Sequence, residues 1–177
     1  MKDFLKSIKL IDQFETELII QKHDFVQRFL KVVDQGSVGT FSNPLEAFSS
    51  SKNEFKGEVG INGFRIRRIR KFFQPNMSLA IAKGRFTQRD DKLIINTEID
   101  GLRTHILFFY IFGIIFYGIF LTAFLSIDKI EGEFSYILFP FLILHAVFMF
   151  GIPYFVMRRS VKRMKYELER EFAFVAK

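Results

Sequence analysis

Cysteine and tryptophan are absent from the 177 residues, and histidine occurs three times. Without cysteine there is neither a disulfide scaffold nor a thiolate metal site. His23, His105 and His145 are scattered too widely to give a metal-ligand spacing. The patterns GxGxxG, Walker A, GxSxG and HExxH are all missing. Gly57, Gly60 and Gly63 recur at even spacing, but between strand-like runs with no helix to follow, so they read as turn and strand glycines. Asp90-Asp91 reads as a solvated turn pair. Nothing in these residues argues for an enzyme or implies a cofactor. Repeats and low-complexity tracts are absent too. What the chain has is apolar residues at 49%, too many for a disordered chain. Phenylalanine alone accounts for 25. A mean hydropathy of +0.16 beside 25% charged residues means that the apolar residues are concentrated.

They are concentrated in two runs without charge, 104–127 and 134–157, each of 24 residues. As helix each would be about 36 Å long, enough for a hydrocarbon core of about 30 Å. The alternative, two buried core helices, needs more surrounding protein than this chain has. The runs predict two transmembrane helices joined by a short external loop at 128–133 (DKIEGE) into an antiparallel hairpin. The loop holds one Lys and three acids. Arg85, Arg89, Lys92 and Arg103 precede the first run, and Arg158, Arg159, Lys162, Arg163 and Lys165 follow the second. Basic residues stay on the cytoplasmic side, which puts both termini in the cytoplasm. The start, MKDFLKSIKL, is too often interrupted by charge to be a cleavable signal peptide. Absent cysteine also fits a reducing compartment.

Residues 1–103 predict a cytoplasmic α+β domain. At 3–14, Phe4, Ile8 and Ile11 share a helical face, and 15–21 reads as a strand. Asp24 and Gln27 form a capping-box pair ahead of Phe25, Phe29 and Val33, with Gly36 as C-cap, predicting a helix over 24–35. Residues 36–53 read as a loop, with one helical turn at 43–46. From 54 to 100 the period becomes two: Phe55, Val59 and Ile61, then Phe64 and Ile66, then Met77, Leu79 and Ile81, then Leu93, Ile95, Thr97 and Ile99. Asn62-Gly63 predicts a type I′ turn, Gln74-Pro75-Asn76 a turn, Gly84 a bulge and 89–92 a polar turn. The result is a four-strand antiparallel β-meander with one apolar face. In 158–177, Val161, Met164, Leu168, Phe172 and Val175 make an apolar helical stripe that packs on the 1–103 domain.

The order strand, helix, meander, terminal helix over 15–100 and 158–177 resembles the START-like helix-grip arrangement, in which a terminal helix lies across a curved sheet and can enclose an apolar ligand. This chain departs from it by lacking a full second helix and by carrying the inserted hairpin. FKGEVGINGFRIRR at 55–68, followed by two spans and a short basic tail, resembles a group of uncharacterised bacterial two-span membrane proteins with a β-rich cytoplasmic part. That resemblance implies a bacterial inner (cytoplasmic) membrane and supplies no function.

Two sets of residues are site candidates. The stretch 61–89 carries eight Lys/Arg and no acid. It reads either as a solvated strand face or as an anion site for lipid headgroups, a nucleotide or an RNA, and with the cluster after the second run anionic lipid is the simplest of these. Arg65, Arg67, Arg68, Arg70, Lys71, Arg158, Arg159, Lys162 and Arg163 are the residues concerned. Alternation predicts Arg65 and Arg67 pointing away from Phe64 and Ile66, with a slip near Arg68 turning Ile69 inward. RNA would want exposed aromatics among the charges, and Phe64, Phe72 and Phe86 read as core, so nucleic acid is disfavoured. The second set is intramembrane. His145 lies mid-span, level with Tyr117, while Tyr110, Gly113 and Tyr117 share a face. A neutral His145 bonded to Tyr117 is favoured over a proton or ion role, because no intramembrane carboxylate completes a relay. Pro140 and Pro153 with Gly151 predict kinks. The chain is thus expected to be a non-enzymatic membrane protein whose cytoplasmic domain binds an anionic or apolar ligand, or a partner protein, at the bilayer. The alternatives are an oligomerising membrane-perturbing effector and an accessory subunit of a larger complex.

Overall fold

The computed structural model describes residues 2–39, 53–69, 79–102, 104–125 and 133–177, with no side-chain description for 104–105, 125 and 133–138. The predicted turns at 43–46 and 74–76, and Met77, lie outside these residues. The chain divides into two units, Met1–Leu102 with Met157–Lys177, and Arg103–Val156.

The first unit is α+β. It opens with α1 (Lys2–Ser7), β1 (Ile11–Leu18), α2 (Lys22–Val32) and β2 (Val33–Gln35). The meander follows as β3 (Phe55–Gly60), β4 (Gly63–Arg68), β5 (Ile81–Arg89) and β6 (Lys92–Asp100). All six strands form one sheet in the order β1-β6-β5-β4-β3-β2. Every neighbouring pair is antiparallel except β2 with β3, so the sheet is mixed. The four-strand meander is therefore the centre of a wider sheet.

Local chemistry explains where the elements begin and end. The helix predicted at 3–14 stops at Ser7 because the backbone turns left-handed at Lys9 (φ 61). Leu10 N–H then bonds to the Leu5 carbonyl and Lys9 N–H to the Lys6 carbonyl, both at 2.9 Å, closing a Schellman motif. Ile11 consequently belongs to a strand and pairs with Asp100. The strand predicted at 15–21 begins four residues earlier than expected. Helix α2 starts at Lys22 with Gln21 as N-cap and no side-chain cap, so Asp24 sits in the first turn and the capping box is not formed. Gly36 is not its C-cap either, since the chain passes directly from α2 into β2 through Val33. The hairpin loop is Ile61-Asn62, between the paired Gly60 and Gly63. Neither Asn62 nor Gly63 has a positive φ, so the type I′ turn is replaced and Ile61 is exposed. At the next hairpin Asp90 does take a left-handed φ of 50, in the polar turn between Arg89 and Lys92.

The apolar face of the sheet carries Phe55, Phe64, Ile66, Ala80, Ala82, Phe86, Leu93, Ile95 and Ile99. Along 79–84 this is the opposite phase to the predicted Leu79 and Ile81: the small residues Ala80, Ala82 and Gly84 face this core, and Ile81, though buried, lies on the other side of the sheet. Pairing runs unbroken through Gly84, so no bulge forms there. Gly84 is required instead because a Cβ would run into the Phe64 ring. Gly84→Val is expected to cost about 1–3 kcal/mol of stability, the usual range for overpacking, read as a lowered denaturation midpoint. A midpoint within error of the parent would remove this steric role.

Helix α2 and the chain end cover that face. Phe25 and Phe29 stack at 5.5 Å and meet Phe86 and Phe64 edge-on. The closing helix α4 (Glu133–Val175) contributes Val161, Met164, Leu168, Phe172 and Val175 to the same core. The Phe172 ring touches Phe14, Phe25, Phe29 and Phe64, so aromatic rings fill the interface where a helix-grip protein can enclose an apolar ligand.

The second unit contains α3 (Thr104–Leu125) and the first part of α4, which runs through Pro140 and Pro153 without ending. Both helices are long and apolar enough to cross a membrane, the mean hydropathy of their apolar 18-residue stretches being 2.3 and 1.9.

Candidate anion site

The structure keeps part of the predicted basic strand face, with Arg65, Lys83, Arg85 and Arg89 exposed, and buries Arg67 and Arg68. Arg65 is exposed on the outer face of β4. Its cross-strand row runs Glu58, Arg65, Lys83, Glu98, Gln13, mixing both signs as a solvated face does. Glu98 is hydrogen-bonded by Lys2 at 3.1 Å and by Gln13 at 2.6 Å. Partial burial works against its charge, but these bonds and the Lys2 and Lys83 ammoniums outweigh it and hold the carboxyl below the usual range.

Arg67 lies on the same side of β4 as Arg65, as alternation predicts, yet it is buried, 4% exposed, and Arg68 is 6% exposed. Arg67 Nη1 donates to the Arg68 carbonyl at 3.2 Å. Strand pairing continues through Arg68, opposite Phe55, so the slip expected there does not occur. Arg68 therefore keeps the parity of Phe64 and Ile66 and points at the tail of α4. There its Nη1 meets Glu167 Oε1 at 2.5 Å, both side chains 7% exposed. Arg163 Nε reaches the same oxygen at 2.6 Å, while Glu54 lies 3.8 Å from Arg68 and 3.6 Å from Arg170. This network is a structural seam. Nearby, Ser160 Oγ accepts from the backbone N–H groups of Leu79 and Ala80 at 2.8 and 2.9 Å. Arg70 and Lys71 lie outside the described residues.

A different basic group is assembled elsewhere. Arg158 and Lys162, two residues of the predicted set, line a pocket of about 520 Å³ with Lys6, Lys9 and Lys165. Arg159 and Arg163 do not line it; Arg163 is engaged with Glu167. One carboxylate, Asp12, faces the five cations and pairs with Lys165 at 3.1 Å. Ile11 and Val161, both buried, form apolar parts of the wall. Lys165 also lies 5.5 Å from the centre of the Phe14 ring, which fixes its stem along the sheet. Lys6 and Lys9 were not singled out by sequence. The signal available was the period-three spacing of Lys6 and Lys9 beside the exposed Phe4.

In the second unit, Tyr117 Oη and His145 Nδ1 share a hydrogen bond of 2.5 Å. Tyr110 Oη donates to the Phe150 carbonyl at 2.9 Å, and its ring stacks on Phe150. Gly113 admits the Phe150 ring, since a Cβ there would lie 2.9 Å from it. The Tyr110–Gly113–Tyr117 face of α3 is thus the face that meets α4. Among the described residues no group of three His, Asp or Glu is placed to hold a metal ion. No family model, curated protein or solved structure matches the chain.

Proposed function

We propose that the chain is a two-span protein of a bacterial inner membrane, with both termini cytoplasmic. Its α+β domain binds an anionic ligand at the bilayer surface without catalysing a reaction. The observation that carries this reading is α4. It is one helix in which the uncharged run 134–157 is followed at once by Arg158 and then by the stripe that completes the sheet core. A helix of this kind makes the domain's fold dependent on the same segment that enters the membrane. The apolar parts of α3 and α4 support a lipid environment. In their most apolar stretches 6% and 0% of residues are buried, with Phe108, Phe112 and Phe155 more than three-fifths exposed. An apolar surface that large is an association or membrane surface. The pocket cations Arg158 and Lys162 fall where the basic-inside rule places charges.

The test is thiol labelling in the cysteine-free background. A cysteine at position 132 should react with an impermeant reagent in intact cells. One added after Lys177 should react only after permeabilisation. The reverse pattern overturns the orientation, and release of the protein from membranes by alkaline carbonate overturns the spanning reading.

A further inference from the structure

We infer that the pocket between the α1–β1 turn and α4 holds the phosphate of an anionic glycerophospholipid. This deepens the function proposed above and rests on its membrane reading. Of the five cations, Lys165 is paired with Asp12 and Lys6 Nζ donates to Gln13 Oε1 at 2.9 Å; the like charges of Lys9, Arg158 and Lys162 around the same space repel one another unless an anion joins them. A phosphate oxygen cluster accepts several N–H donors at once, which suits ammoniums arriving from two separate elements.

The backbone gives an independent indication. Lys9 occupies the C′ position of the α1 Schellman motif with φ 61, a conformation for which glycine is the ordinary choice. Its side chain lines the pocket, so a strained position carries a charge where a neutral, unstrained residue would serve the turn better. Lipid is favoured over a soluble phosphate by two features. Arg158 is the first residue past the uncharged run, which is headgroup depth for a spanning helix. Phe4, 64% exposed on the same short helix as Lys6, presents an aromatic ring suited to the headgroup–acyl boundary.

The test uses the full-length protein in nanodiscs of phosphatidylcholine mixed with phosphatidylglycerol, released into native mass spectrometry. The wild type should retain phosphatidylglycerol preferentially, less so as salt is raised before release. Lys9→Gln combined with Lys162→Gln should weaken retention about thirtyfold, the size expected for two cations at an anionic surface. Lys9→Gly, which suits the left-handed turn and so keeps the fold, should weaken it about fivefold. The control pair Lys31→Gln and Lys177→Gln, outside the pocket, should match the wild type. Equal retention by the wild type and the Lys9/Lys162 variant overturns the site, as does an equal loss in the control pair. In a second arm inorganic phosphate alone is added in neutral lipid. If it raises the melting temperature of the wild type as much as phosphatidylglycerol does, and not that of the double variant, the pocket takes free phosphate and the lipid assignment falls. A protein that resists carbonate extraction yet shows no lipid preference removes this inference alone; extraction by carbonate removes the reading beneath it.

Discussion

Phe172→Asp is expected to abolish the folded sheet domain in the full-length protein. Phe172 is fully buried and its ring touches Phe14, Phe25, Phe29 and Phe64. Removing such a ring costs about 3–5 kcal/mol by itself. The aspartate adds an ionised group with no partner in an aromatic cluster, which costs several more. Together these reach or exceed the roughly 5–15 kcal/mol by which domains are stable. Limited proteolysis of the detergent-solubilised protein should convert the strands at 11–18, 55–68 and 81–100 from protected to readily cut. A variant as protease-resistant as the wild type would show that the tail of α4 does not close this core. Leu168→Asp, at another fully buried stripe position, should behave alike.

The second large effect concerns charge. Glu167→Ala is expected to destabilise the same domain by about 3–5 kcal/mol, because it leaves the Arg68 guanidinium buried without its main counter-ion. Glu54, 3.8 Å away and 42% exposed, recovers only part of the loss. Replacing both partners, Arg68→Met with Glu167→Leu, should restore most of the stability, since an apolar pair of similar volume has no desolvation penalty. The double-mutant cycle in denaturant measures this coupling directly. If Glu167→Ala lies within about 0.5 kcal/mol of the wild type, as exposed substitutions do, the seam is not an ion pair of consequence. The result also separates the two arginine groups. Loss of Arg68 should act on folding, whereas loss of Lys9 and Lys162 should act on lipid retention with the fold intact.

Much of the architecture follows from patterns that a short window of chain contains. The runs 104–127 and 134–157 are legible because length without charge is a local property, and they correspond to the long apolar helices α3 and α4. The stripe from Val161 to Val175 is legible because helical period alone puts those residues on one face. The meander's existence and the Tyr117–His145 pairing follow likewise from alternation and from the matching levels of two antiparallel helices. Tertiary structure decided everything that depends on a partner distant in sequence. The phase of β5 was set by which face α2 and α4 cover, so Ala82 and Gly84 turn to those helices while Ile81 is buried on the opposite side of the sheet. Arg68 looks like a surface residue until Glu167, 99 residues later, is brought beside it, at which point a strand position facing the core tolerates a charge. The basic pocket likewise joins Lys6 and Lys9 to Arg158, Lys162 and Lys165 across most of the chain's length. No local period records that meeting, because it is fixed by the sheet placing the α1–β1 turn against α4, where like charges converge and an anion becomes the favourable neighbour.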